Sequence, residues 1–138
     1  MKNIDIIISK LYTEQTDIYY IIKNKLFYKF HTNNQLKDAV NLWCNNKNKA
    51  LQIYGDISLW NTEKITNMSH LFTDKKSFND NITNWNVSNV IDMSCMFSRA
   101  ENFNQPLNNW DVSSVTNMNN MFNGAEHFNQ QLIFYIPS

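Results

Sequence analysis

The residues of this chain that could do chemistry are few, and their spacing does not favour it. Three histidines, His31, His70 and His127, show no HxxH or HxH spacing of the kind that puts two ring nitrogens on one metal. They read as surface side chains. The two thiols, Cys44 and Cys95, lie 51 residues apart, form no CxxC pair, and read as buried or half-buried side chains. Asp56, Asp80, Asp92 and Asp111 are scattered, so no spacing forces two carboxylates together for acid–base work. With Gly55 and Gly124 as its glycines, the chain can form neither a phosphate loop nor a Gly-x-Ser-x-Gly elbow. The sequence therefore points to no catalytic residue, no metal ligand and no cofactor, and a non-enzyme is expected.

Composition narrows the class further. A length of 138 residues suits one modest domain, and a hydrophobic fraction of 43% supports a packed core. Twelve basic residues balance 12 acidic ones, so the field needed to neutralise nucleic-acid phosphates is missing. Residues 1–50 are mildly basic and residues 51–138 mildly acidic, which reads as solvated surface. No stretch approaches the roughly 20 apolar residues of a membrane span. The opening MKNIDIIISKLYTEQ lacks a signal-peptide core, because Asp5 interrupts a short Ile run. An intracellular location is the expectation from these residues, and the true location stays open.

The elements that must position any function come from an internal repeat. Trp60, Trp85 and Trp110 recur every 25 residues, and Tyr135 takes the next slot. Met68, Met93 and Met118 align, as do Leu71, Met96 and Met121, then Phe72, Phe97 and Phe122. Phe78, Phe103 and Phe128 form another column, each followed by Asn79, Asn104 or Asn129. Ile82, Leu107 and Leu132 align three residues before the aromatic slot. The Met and Phe stripe reads as core rather than a cofactor box, because its slots interchange between Met and Leu. The Asn column reads as a structural ladder, in which stacked amides satisfy inward-facing backbone groups and bond to one another.

Each unit divides into two halves. Val90, Met93, Met96, Phe97 and Ala100 mark one face of a short helix, with Ser88 as N-cap and Ser113 in that place in the next unit. Trp110 and Val112 share a face if residues 109–112 are extended, which predicts a short strand. A period of 25 lies inside the roughly 20–29 residues of leucine-rich repeats. The expected fold is thus an α/β repeat: a short leucine-rich-repeat-like solenoid of 25-residue helix–strand coils. Equivalent strands would pair in parallel, and the units fall at 60–84, 85–109 and 110–134, with a remnant at 135–138. Residues 32–59 supply a capping helix and first strand. Leu36, Val40 and Trp43 share one face of that helix, and Thr32, Asn33 or Asn34 can cap it. Residues 1–31 form an extension with a β-hairpin at 19–30 around Lys23-Asn24-Lys25. Ile133, Phe134 and Ile136 are expected to fold back over the last coil.

The run Trp110-Asp-Val-Ser-Ser-Val-Thr-Asn-Met-Asn-Asn-Met-Phe-Asn-Gly-Ala-Glu-His-Phe-Asn-Gln resembles the BspA-like leucine-rich-repeat surface proteins of the mycoplasma-lipoprotein type. Trp85-Asn-Val-Ser-Asn-Val-Ile-Asp-Met-Ser-Cys-Met-Phe carries the same likeness, which extends over about residues 33–135. The resemblance implies a solenoid that acts in protein contact or adhesion, and it implies a cell-surface location. It supplies no catalytic residue. The expected function is a non-catalytic interaction or adhesion scaffold, monomeric, with protein as the partner and glycan as the alternative. A truncated array with no function of its own is a further alternative. The candidate binding face is Asn84, Asn86, Asn108, Asn109 and Asp111, the polar column beside each expected strand.

Overall fold

The computed structural model describes residues 13–18 and 27–133. Residues 13–18 are helical and exposed. Two helices then precede the repeats: α1, Asn33–Asn45, and α2, Lys47–Tyr54. The Thr32 hydroxyl caps α1 by accepting from the Gln35 N–H, while the Gln35 side chain accepts from the His31 N–H. Asn46 ends α1 and caps α2 by accepting from the Lys49 N–H. Gly55, at φ 72°, closes α2 in the left-handed region that a side chain resists. Leu36, Ala39, Val40 and Trp43 bury one stripe of α1 against the first coil. Phe30, fully buried, packs on Trp60 with ring centroids 5.0 Å apart.

Beyond Gly55 the structure overturns the expected α/β solenoid. Among the described residues there is no sheet, and pairing is limited to isolated parallel bridges at Lys29–Asn61, Asn67–Asp92 and Asp92–Asn117. The expected first strand is replaced by a three-residue 3₁₀ turn, Ile57–Leu59. Residues 94–99, the expected helix, are consecutive turns. The expected strand at 109–112 sits between two turns, closed by Trp110 N–H to Leu107 C=O at 3.0 Å and Val115 N–H to Val112 C=O at 3.0 Å. Of the hairpin at 19–30, residues 19–26 lie outside the described residues. Residues 28–30 pair instead with Asn61, through Phe30 N–H to Asn61 C=O and Asn61 N–H to Tyr28 C=O. Ile133 is 71% exposed, and the rest of the expected fold-back lies outside the described residues.

The physical reason for the correction lies in where the N–H groups go. In residues 93–99 alternate amides face different ways. Those of Met96 and Ser98 close local turns on Met93 and Cys95, three residues back. Those of Met93, Cys95, Phe97 and Arg99 leave the coil for the carbonyls of Asn117, Asn119, Met121 and Asn123, at 2.8–2.9 Å. The coil before does the same: Met68, His70, Phe72 and Asp74 donate to Asp92, Ser94, Met96 and Ser98. An α-helix needs every one of those amides for its own carbonyls four residues back, so it cannot form here.

The alternation requires left-handed backbone at fixed slots. His70, Cys95 and Asn120 form one such column, with φ between 54° and 58°. Asp74, Arg99 and Gly124 form the other, four residues on. Positive φ at the third residue of a turn is the demand of type II geometry.

The apolar spacing follows from the same turns. A turn brings its first and fourth residues together, so a chain of turns buries residues three apart. Ile82 pairs with Trp85, Val87 with Val90, Met93 with Met96, and Phe97 with Ala100, and all are at most 2% exposed. The core columns then stack from coil to coil. Phe72, Phe97 and Phe122 lie 5.4 Å and 5.6 Å apart and within 5° of parallel. Phe78, Phe103 and Phe128 form a second file at 5.9 Å and 5.8 Å. Trp60, Trp85 and Trp110 are buried, and each of the last two donates its indole N–H to a carbonyl in the preceding coil, Ile57 and Ile82. Met68, Met93 and Met118 are 5% exposed or less, whereas Phe122 and Phe128 in the third coil are half-buried.

Candidate functional site

The exposed amides sit where two turns meet at the Trp corner of each coil. Burying Ile82 and Trp85 at the ends of one turn forces Thr83 and Asn84 outward, and Leu107 with Trp110 does the same to Asn108 and Asn109. Asn84, Asn86, Asn108, Asn109 and Asp111 are all exposed, but their side chains differ in what they already hold. The Asn86 side-chain oxygen accepts from the Ser88 N–H at 3.1 Å and from its hydroxyl at 2.7 Å. Asp111 accepts from the Ser113 N–H at 3.1 Å, and those Ser113 hydrogen bonds hold its carboxyl below the usual aspartate range. These two residues fold the next turn over themselves, and the serines expected to cap a helix are the donors. Asn108 accepts from the Ile133 N–H at 3.4 Å. Asn84 and Asn109 make no side-chain hydrogen bond among the described residues, and they occupy equivalent slots on adjacent coils.

A cleft of about 340 Å³ opens beside this corner, lined by Phe27, Ser58, Leu59, Trp60, Asn61, Glu63, Asn84 and Asn86. It brings Asn84 and Asn86 together and leaves Asn108, Asn109 and Asp111 on the next coil. Phe27, 54% exposed, gives it an apolar wall. Glu63 gives it a carboxylate, held low by a hydrogen bond from the Lys29 ammonium at 2.9 Å. Such a set can bind a polar molecule by amide hydrogen bonds and ring contact. The Ser58 hydroxyl in its wall donates to the Asp56 carboxylate, which also accepts from the Ser58 N–H at 2.9 Å and so caps the 3₁₀ turn. Sequence reasoning missed Phe27, Ser58, Leu59, Asn61 and Glu63. The register could have found Asn61, which aligns with Asn86 and Asp111.

The Asn79, Asn104 and Asn129 column binds coil to coil. The Asn79 side-chain oxygen accepts from the Asn104 N–H at 2.8 Å, and Asn104 accepts from the Asn129 N–H at 2.9 Å. Gln105 and Gln130 each add an amide N–H to the same oxygen. Beside Asn79 a larger cleft of about 730 Å³ follows the seam with α1. In its wall the Trp43 indole N–H and the Lys47 ammonium both reach Asp80, at 2.9 Å and 2.8 Å.

The histidines and thiols stay apart. His31, His70 and His127 are exposed. His70 Nδ1 lies 3.4 Å from the Thr73 hydroxyl, and His127 Nδ1 lies 2.8 Å from the Glu101 carbonyl. Cys44 and Cys95 are free thiols of intermediate exposure, and burial pushes the Cys44 thiol up. Among the described residues no three of His, Cys, Asp or Glu gather where they could hold a metal ion. Among the same residues no helix is long and apolar enough to cross a membrane.

No curated protein and no solved structure matches this chain. One family pattern does, the Mycoplasma protein of unknown function, DUF285, over residues 39–135. That match begins inside α1 and runs through all three coils, so it covers the turns and ladders described above. With well over half of its 138 residues matched, the chain belongs to the DUF285 family of Mycoplasma proteins of unknown function.

Proposed function

We propose that this chain is a non-catalytic scaffold that binds another protein through the amide corner of its coils. The observation that carries the reading is the pairing of Asn84 with Asn109. Both are exposed, both are free of side-chain bonds among the described residues, and both ride on turns anchored by buried residues at either end. Two amides held on rigid turns at adjacent levels offer donors and acceptors at small entropic cost to a peptide running along the stack. The likeness to BspA-like surface proteins supports the same reading. A glycan is the second reading, favoured by the aromatic wall that Phe27 gives the adjoining cleft.

The test is binding to an immobilised peptide library and an immobilised oligosaccharide panel, by the native chain and by an Asn84→Lys/Asn109→Lys variant. The reading expects peptide binding that the variant loses while its melting temperature holds. Oligosaccharide binding lost in the same variant would transfer the site to glycans. Binding that survives in the variant removes the amide corner from the account.

A further inference from the structure

Inside the stack, two backbone amides near the Asn column reach back to the coil before. The Asn102 N–H donates to the Lys76 carbonyl and the His127 N–H to the Glu101 carbonyl, both at 3.0 Å. Two residues on, the Asn104 N–H meets the Asn79 side-chain oxygen at 2.8 Å, and the Asn129 N–H meets that of Asn104 at 2.9 Å. In the first coil the same slots are Ser77 and Asn79. Their amides meet no acceptor among the described residues.

The reason is what stands in front of the first coil. There α1 and α2 take the place of a preceding coil, and a helix keeps its carbonyls for its own amides. The Leu51 carbonyl, one period before that of Lys76, accepts instead from the Gly55 N–H that closes α2, at 3.0 Å. Elsewhere along the seam α1 supplies a side chain: the Asn33 oxygen accepts from the Thr66 and Asn67 amides, at 3.1 Å and 3.2 Å. No such oxygen from the described residues reaches Ser77 or Asn79. Both instead line the cleft of about 730 Å³ beside α1.

The charges of that wall are nearly all matched. Lys47 pairs with Asp80 at 2.8 Å, Lys76 with Glu101 at 2.7 Å, and Asp74 with Arg99. Lys75, half-buried in the same wall, has no ion pair among the described residues. Its charge is felt inside the cleft: burial pushes the Cys44 thiol up, and Lys75 pulls it back.

We propose that this cleft binds a carboxylate, with the Ser77 and Asn79 N–H groups as its donors and the Lys75 ammonium as its counter-charge. Inside the stack the same two amides are met by a carbonyl oxygen and an amide oxygen. A carboxylate presents two oxygens of that kind on one carbon, and its charge strengthens both bonds. Its single charge also matches the one unmatched cation. A phosphate group carries about −1.5 to −2 near pH 7 and would face Asp74 and Asp80 in the same wall. None of the amide-corner residues lines this cleft, so the inference stands independently of the function proposed above.

The test is a titration of the isotope-labelled full chain at constant ionic strength, followed by amide chemical shifts. The probes are N-acetylglycine, with a chain-end carboxylate, N-acetylaspartate α-amide, with a side-chain carboxylate, and N-acetylglycinamide, with none. The Ser77 and Asn79 amides should move along one saturable curve with a carboxylate probe and stay still with the third. The tighter of the two carboxylates names the source, a chain end or an acidic side chain. The Asn102 and Asn104 amides, in the same slots but already bonded, should not move. Lys75→Gln should weaken binding by about fivefold at an unchanged melting temperature. Lys37→Gln, on the exposed face of α1, should leave it as it was. Saturation by inorganic phosphate with both carboxylates silent would overturn the ligand class. Equal weakening by the two variants would reduce the effect to general screening. Silence with every probe, or slow exchange of the Ser77 and Asn79 amides in the chain alone, would show the cleft closed to such a ligand. Any of these results sinks the proposal.

Discussion

Residues 33–45 and residues 88–100 carry nearly the same apolar signature and fold differently. In α1 the buried positions are Leu36, Ala39, Val40 and Trp43, at i, i+3, i+4 and i+7. In the second coil they are Val90, Met93, Met96, Phe97 and Ala100, at i, i+3, i+6, i+7 and i+10. The first series closes two helical turns between Leu36 and Trp43, and the second is dominated by steps of three. The residues between differ too. Asp92, Ser94, Cys95 and Ser98 have short side chains with weak helix preference, and the Asp92 carboxylate accepts from the Ser94 N–H. A step of three with Asx residues between belongs to a chain of turns. Such a chain becomes stable only when a neighbour accepts the amides it leaves free.

Breaking the shared core should have the largest effect. Phe97 is fully buried and lies in contact with Phe72, Phe103 and Phe122. Phe97→Ala should cost about 3–5 kcal/mol and shift the whole melting transition, because three coils lose one file at once. A calorimetric melt unchanged from the native chain would mean the rings are not stacked.

The ladder comes next. Asn104→Ala leaves the Asn129 N–H without its acceptor and the Gln130 amide with the Asn104 backbone carbonyl alone, at a cost of about 1–2 kcal/mol. Exchange at the Asn129 amide should rise while exchange in α1 stays put. Equal acceleration in both would contradict a stack whose coils are held pair by pair.

Glycine sharpens the contrast between the two regions. Lys37→Gly, on the exposed face of α1, should cost about 0.5–1 kcal/mol in helix propensity. Cys95→Gly falls at φ 54°, where a side chain is strained, so relief offsets the entropy Gly brings. Urea midpoints should fall for the first and hold or rise for the second. A matching loss at both would mean that residue 95 is helical after all.

The smallest effect is electrostatic. Asp74 and Arg99, equivalent residues on adjacent coils, pair with Nη2–Oδ2 at 2.7 Å. The Arg99 hydrogen bond holds the Asp74 carboxyl below the usual aspartate range. The folded value is the depressed one, so the contribution is complete above the ordinary aspartate pKa of about 3.9 and is lost as pH falls through the folded value. Asp74→Asn should flatten that acid limb of the stability curve slightly, and salt should do the same to the native chain. An acid limb indifferent to both would remove the pair from the account.

The register was legible in the sequence because identical slots repeat. The Phe columns and the Asn79, Asn104 and Asn129 column appear in the structure as files of contacts, and the Trp and Met columns as buried positions. The α1 face on Leu36, Val40 and Trp43 is legible because a capping residue, Thr32, stands just before it. The backbone between the columns was not legible, because a spacing of three, four and seven is common to helix and turn chain. Two clues were present. His70, Cys95 and Asn120 align, and so do Asp74, Arg99 and Gly124; a Gly or Asn in each column hints at positive φ. The triplets Asn67-Met-Ser, Asn81-Ile-Thr and Asn86-Val-Ser also recur, and in each the Asn oxygen accepts from the N–H two residues on. Of the candidate face, the exposure of all five residues was readable. That Asn86 and Asp111 are occupied by their own turns was not, because it depends on the local fold.

The direct test of the turn-chain account is the hydrogen bond made by the Phe97 amide. Scalar coupling across hydrogen bonds, measured by NMR on the labelled full chain, identifies its acceptor. The account predicts coupling from the Phe97 nitrogen to the Met121 carbonyl carbon, 24 residues ahead, across a bond of 2.8 Å. Coupling from Phe97 to the Met93 carbonyl, four residues back, would restore a helix to residues 88–100 and contradict it.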